Sequence, residues 1–167
     1  DSQSKVYGSS DPVLTFTVGG FGLAGNAATG VFDTQAVVFS GSQARSAGEA
    51  VLGSPYAITR GSLTANSNYS VTGYTGSNLA ILPASLSITA DDKTKFSGEP
   101  NPVFTASYSG LKFADTPADL GGSLQFVTPA TNSSLAGNYP IEPSGLNSSN
   151  YSISYFSGNL RIDPLNL

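Results

Sequence analysis

The strongest constraint on what this 167-residue chain can fold into is that it states one pattern twice. Ser4-Lys5-Val6-Tyr7-Gly8-Ser9-Ser10-Asp11-Pro12-Val13-Leu14-Thr15 is followed, 90 positions on, by Thr94-Lys95-Phe96-Ser97-Gly98-Glu99-Pro100-Asn101-Pro102-Val103-Phe104-Thr105. Tyr56-Ala57-Ile58 answers Tyr139-Pro140-Ile141, and Asn68-Tyr69-Ser70-Val71 answers Asn150-Tyr151-Ser152-Ile153. Asn78-Leu79-Ala80-Ile81-Leu82-Pro83 answers Asn159-Leu160-Arg161-Ile162-Asp163-Pro164. A repeat of this length means two copies of one compact unit in tandem. The offset falls from 90 to 81, so the first copy is longer by about nine residues, and the excess is placed within the Gly- and Ala-rich stretch 19–41 as an enlarged loop.

The boundary falls between 83 and 84, giving units 1–83 and 84–167. No Gly/Ser linker separates them; one strand-like stretch, 79–83, leads into another, 84–88, and such a short joint favours stiffness. Asp1 aligns with Asp91, so the first unit lacks a counterpart of 84–90, its first strand. At the other end Pro164-Leu165-Asn166-Leu167 aligns with 83–86, the start of a further strand. The sequence therefore reads as a segment of a longer array, with a strand donated by a neighbouring chain as the alternative.

The second copy is the clearer guide to local structure. Leu86, Ile88 and Ala90 alternate with polar residues and predict a half-buried strand. Residues 91–101, polar and carrying Gly98 and Pro100, read as a turn, and 103–108 as a second strand. Asp115-Thr116-Pro117-Ala118-Asp119-Leu120-Gly121 reads as a short helix with Thr116 as N-cap, Pro117 first and Gly121 as terminator. Strands follow at 124–127, 138–141, 151–156 and 159–162. The expected fold class is mostly β: two tandem small β-rich domains, β-grasp-like with a short helix, in which the first and last strands lie parallel. An immunoglobulin-like β-sandwich is the alternative.

Composition removes most chemistries. With no His and no Cys there is no imidazole base, thiolate, disulfide or ordinary zinc site. Charged residues are 11% of the chain and the net charge is −4, which argues against a nucleic-acid partner. No apolar run is long enough for a helical membrane span. Solubility rests on Ser, Thr and Asn, which together with absent cysteine suits a bacterial exoprotein.

In this setting the chain resembles the MBG domains (YGX type), which occur in tandem in large bacterial surface adhesins and filamentous-haemagglutinin-like exoproteins. The marks are Ser4-Lys5-Val6-Tyr7-Gly8 with Asp11-Pro12, Ala44-Arg45-Ser46-Ala47-Gly48-Glu49, 56–64, Asn68-Tyr69-Ser70-Val71 and the closing 79–83. The second copy has Ser97-Gly98 in place of Tyr7-Gly8 but keeps Pro102, Gly137-Asn138-Tyr139-Pro140-Ile141 and Asn150-Tyr151. The resemblance implies an extracellular, cell-surface repeat with no catalytic residues and no cofactor.

The residues themselves offer few sites. Gly8 and Gly98 are expected where other residues fit poorly, Asp11-Pro12 and Asn101-Pro102 to set turns, and Tyr69 and Tyr151 to pack with their hydroxyls on backbone. Asp91-Asp92 with Glu99, or Asp115 with Asp119, are weak calcium candidates, and Lys95 a remote isopeptide donor. Tyr74, Tyr155 and Phe156 are the aromatics available to a glycan. No catalytic, cofactor or metal residue is assigned. The expected role is a stalk or spacer whose partners are neighbouring repeats of the same polypeptide, with no nucleic acid and no membrane insertion. The competitors are a module that binds host glycan or a surface protein, and a filament subunit that pairs with like chains by strand exchange.

Overall fold

The computed structural model describes residues 1–19 and 33–165. The expected enlarged loop therefore lies largely outside the described residues. The chain divides into two compact units, Asp1–Leu82 and Pro83–Leu167, and both are mostly β.

The first unit contains β1 (Gln3–Val6), α1 (Gln35–Val38), β2 (Phe39–Ser40), β3 (Ala44–Arg45), β4 (Tyr56–Thr59), β5 (Thr64–Ala65) and β6 (Ser77–Leu82). Its main sheet has the order β1-β6-β4-β3, and β2-β5 form a separate ribbon. β6 is the central strand because Leu79 and Ile81 stand two apart and turn the same face inward, where both are buried. β1 runs parallel to β6, Gln3 opposite Leu79 through to Val6 opposite Leu82. β4 is antiparallel to β6 and brings Ile58 into the same core.

The second unit contains β7 (Ala84–Ala90), β8 (Lys93–Phe96), β9 (Ala106–Ser109), β10 (Gly121–Val127), β11 (Gly137–Asn147), β12 (Tyr151–Phe156) and β13 (Gly158–Asp163). One sheet has the order β10-β11-β13-β8 and the other β12-β7-β9. The first reproduces the β1-β6-β4-β3 sheet in mirror listing: β8 answers β1, β13 answers β6, β11 answers β4 and β10 answers β3. β7 turns Ala84, Leu86, Ile88 and Ala90 inward, all but inaccessible, and Ser85, Ser87 and Thr89 to the other face. Ala90, Ala130, Ile141, Leu160 and Ile162 form a core cluster, flanked by Phe104 and Phe126 edge to face at 5.9 Å between centroids.

Three pairings are parallel: β1 with β6, β7 with β12, and β8 with β13. That sets both units apart from an all-antiparallel immunoglobulin sandwich. The side-by-side arrangement of first and last strands holds in the first unit. In the second, the last strand β13 lies beside β8, because β7 precedes it in the chain and is taken up by the other sheet.

Several local expectations shift. Residues 91–101 contain a strand, β8, as well as a turn, since the buried position of that strand is a lysine rather than an apolar residue. The predicted helix is a single 3-10 turn, Pro117–Asp119, with Thr116 and Asp119 in a capping box; Gly121 opens β10 instead of ending a helix. β9 begins at Ala106, later than expected, and β11 extends well past Ile141.

Candidate functional site

Charged residues are scarce, yet four meet in the first unit. Lys5 stands on β1 and Arg45 on β3, the two edge strands of the main sheet; Asp11 and Glu49 follow those strands in loops. Lys5 Nζ donates to Asp11 Oδ1 at 2.7 Å and to Glu49 Oε2. Arg45 Nε donates to Asp11 Oδ2 at 2.6 Å, and its Nη2 to Asp11 Oδ1 at 3.0 Å and to Glu49 Oε1. Its Nη1 reaches the carbonyls of Ser46 at 3.0 Å and Gly48 at 2.6 Å. The guanidinium lies 5.6 Å from the Tyr56 ring centroid. The cationic side chains are enclosed, Lys5 at 5% exposure, while Asp11 and Glu49 are each 42% exposed.

The electrostatics follow from these bonds. Arg45 and then Lys5 hold the Asp11 carboxyl down at about 2, against an ordinary 3.8. Lys5 and Arg45 likewise lower Glu49. Burial alone would lower Lys5, but its bonds to Asp11 and Glu49 outweigh that and raise it. Asp11 raises Arg45 in the same way. Both carboxyls stay ionised and the lysine stays protonated. A hydrolytic carboxylate pair needs one member held as an acid, and an amine nucleophile needs a free lone pair; the cluster meets neither requirement. It acts as a clasp between opposite edges of one sheet.

The second unit has a corresponding clasp in which backbone carbonyls replace the carboxylates. Lys95 replaces Lys5 and Asn101 replaces Asp11. Lys95 Nζ donates to the carbonyls of Glu99 and Thr131, both at 2.9 Å. Asn101 Nδ2 donates to Ala130 O at 2.8 Å. The edge strand β8 is thereby tied to the loop that follows β10, the opposite edge.

The first unit also holds a cavity of about 420 Å³. Phe16, Val18, Leu63, Tyr69, Val71 and Tyr74 are among the side chains that line it. Gln43 reaches it as well: its Nε2 donates to Tyr74 Oη at 2.7 Å, while its buried Oε1 has no hydrogen-bond partner among the described residues.

The sequence model of the MBG domain (YGX type) matches residues 1–80 and again 86–161. The chain belongs to that family. No curated protein and no solved structure matches it.

The paired MBG units explain the motif residues. Gly8 and Gly98 adopt φ of 82° and 91°, each third in a turn closed by Ser9 N to Val6 O and Glu99 N to Phe96 O. Tyr7 of the YGX motif is buried, where Ser97 is only half-buried. Asp11 and Asn101 do not bond nearby amides as expected; both reach across to the far side of the sheet. Tyr151 accepts from the backbone N–H of Lys112 at 2.8 Å and donates to Asp115 Oδ2 at 2.6 Å. Tyr69 donates to Asp33 Oδ2 at 2.5 Å, so a carboxylate ahead of the short helix anchors each tyrosine.

The other candidates separate. Asp91 accepts from Thr105 and Ser107 hydroxyls, Asp92 from the Asn159 amide, Glu99 from the Phe96 amide, and Asp119 from Thr116. Among the described residues no group of three or more acidic side chains is placed to share one ion. Lys95 finds carbonyls, not a carboxyl or carboxamide, as its partners. Tyr155 Oη is held by both backbone groups of Leu146, and Phe156 is half-exposed. Tyr74 alone of the three aromatics faces the cavity. The clasp itself was missed by sequence reasoning; the only local trace is the four-residue spacing of Arg45 and Glu49.

Proposed function

We propose that this tandem MBG pair is an extracellular structural repeat, a stalk or spacer in a bacterial adhesin or surface fibre, whose partners are neighbouring repeats of the same polypeptide. The observation that carries the reading is the parallel pairing of β1 with β6. Because Gln3 faces Leu79 and Val6 faces Leu82, the chain enters the first unit at one end of the ladder and leaves at the other. β13 leaves the second unit alongside β8 in the same sense. One residue, Pro83, separates the last strand of the first unit from the first strand of the second. Units that pass the chain from end to end through such a joint suit a repeat array, in which reach grows with copy number.

Two features support a structural rather than a catalytic role. The clustered charges are consumed by one another, and charged residues make up only 11% of the chain. No described helix is long and apolar enough to cross a membrane. Small-angle X-ray scattering of the monomer tests the proposal. A maximum dimension about twice that of one unit is expected; a maximum dimension close to that of a single sphere of 17.0 kDa overturns it.

A further inference from the structure

The cavity of the first unit lies where the second unit keeps its most buried strand. In the second unit β7 runs parallel to β12, with Ala84 opposite Tyr151 and Thr89 opposite Phe156. On its other side it runs antiparallel to β9, with Ser87 opposite Ser109 and Ala90 opposite Ala106. By the repeat, 69–74 is the counterpart of β12 and 16–19 the counterpart of β9. Neither is a strand, and among the described residues none lies between them. Both segments line the cavity.

They keep the pattern of strands all the same. Phe16 and Val18 are half-buried while Thr15 and Thr17 are exposed; Tyr69 and Val71 are half-buried while Ser70 and Thr72 are exposed. Alternation of this kind is what a sheet face imposes. The end of the slot is also formed. Asp91, the residue after β7, donates its N–H to Thr105 O at 2.8 Å and accepts at its carboxylate from Thr105 and Ser107. Asp1 repeats each contact: its nitrogen donates to Thr15 O at 2.8 Å, and its carboxylate accepts from Thr15 and Thr17, both at 2.9 Å. Gln43 Oε1, buried at the wall, is an acceptor left for an incoming donor.

We propose that this cavity is an acceptor slot for an added β-strand of the β7 type. The occupant is an extended polypeptide segment with small or branched apolar side chains at alternate positions. It lies parallel to 69–74 and antiparallel to 16–19, with its C-terminal end at Asp1. It comes from outside these residues and not from β7 of a second copy, because withdrawing β7 would expose Leu86 and Ile88, both inaccessible in the second unit. Added strands gain affinity from main-chain hydrogen bonds and specificity from alternate side-chain pockets. This inference is independent of the spacer reading, since a slot filled or empty leaves the passage of the chain through each unit unchanged.

The test places Pro-Ala-Ser-Leu-Ser-Ile-Thr-Ala, the sequence of residues 83–90, directly before Asp1 of the full chain, which presents the strand at high effective concentration. A control carries the same extension with its Leu and Ile changed to Asn. The expected result is a rise of roughly 5 °C or more in the melting of the first unit, with slowed amide exchange in 16–19 and 69–74, for the native extension only. No rise and no slowing with the native extension, or equal effects from both extensions, overturns the proposal.

Discussion

The two units solve one problem in two ways. Each buries a lysine at the third position of an edge strand, Lys5 in β1 and Lys95 in β8, with identical burial patterns along the strand. The first unit surrounds its lysine with two carboxylates and an arginine; the second gives it two backbone carbonyls. What the position demands is therefore acceptors for an enclosed ammonium group, and their charge is secondary. The units differ again in their second sheet. Among the described residues, the second buries four side chains on β7 that the first has no strand to supply.

The comparison is broken most sharply at β7. Leu86→Ala is expected to cost the second unit about 2–5 kcal/mol, read as faster amide exchange in β12 and β9; an unchanged exchange rate there would mean that β7 does not organise that sheet. The clasps come next. Lys95→Met strands two carbonyls and is expected to cost about 2 kcal/mol, whereas Lys5→Met leaves both carboxylates on Arg45 and is expected to cost less. Denaturation curves for the two variants rank them, and the reverse order would show that ionic rather than hydrogen-bonding demand governs the site. Gly98→Ala is smaller, about 1 kcal/mol: nothing lies within 4 Å of an added Cβ, so only the positive φ is penalised.

Acid gives the smallest effect, because solvent screens the half-open Asp11. A carboxyl held at about 2 contributes stability that is complete above its ordinary 3.8 and is lost as pH falls through 2. The protection of β1 amides, taken relative to the exchange rate of an unstructured chain at each pH, is thus expected to fall on passing from pH 4 to pH 2. That of β8, held by carbonyls, should change less. Asp91 and Asp119 are also lowered, the first by Ser107 and then Thr105, the second by Thr116, but they fasten turns away from the Lys95 clasp. Equal acid sensitivity of β1 and β8 would erase the distinction between the clasps.

Much of the fold was legible where a strand buries apolar residues at every second position, as β7, β12 and β13 do. β8 was not legible because its single buried side chain is Lys95, which a count of apolar alternation scores as exposed. The length of β11 beyond Ile141 was hidden by Pro143 and Gly145, residue types that ordinarily interrupt a strand. Residues 137–141 of this strand pair with β13 and 142–147 with β10, so each half has an unpaired side where a proline's missing N–H is harmless. The ionic clasp was hidden for another reason: its members at 5, 11, 45 and 49 meet only once the sheet brings both edges round, and the Arg45–Glu49 spacing alone does not encode that.

The direction of the β1–β6 pairing has a mechanical consequence. A pull applied at the two ends of the first unit drags these neighbouring strands past one another lengthwise. All the rungs between Gln3–Leu79 and Val6–Leu82 then bear the force together, instead of parting one after another as in a zipper. A chain under tension gains toughness from that alignment without any change in equilibrium stability.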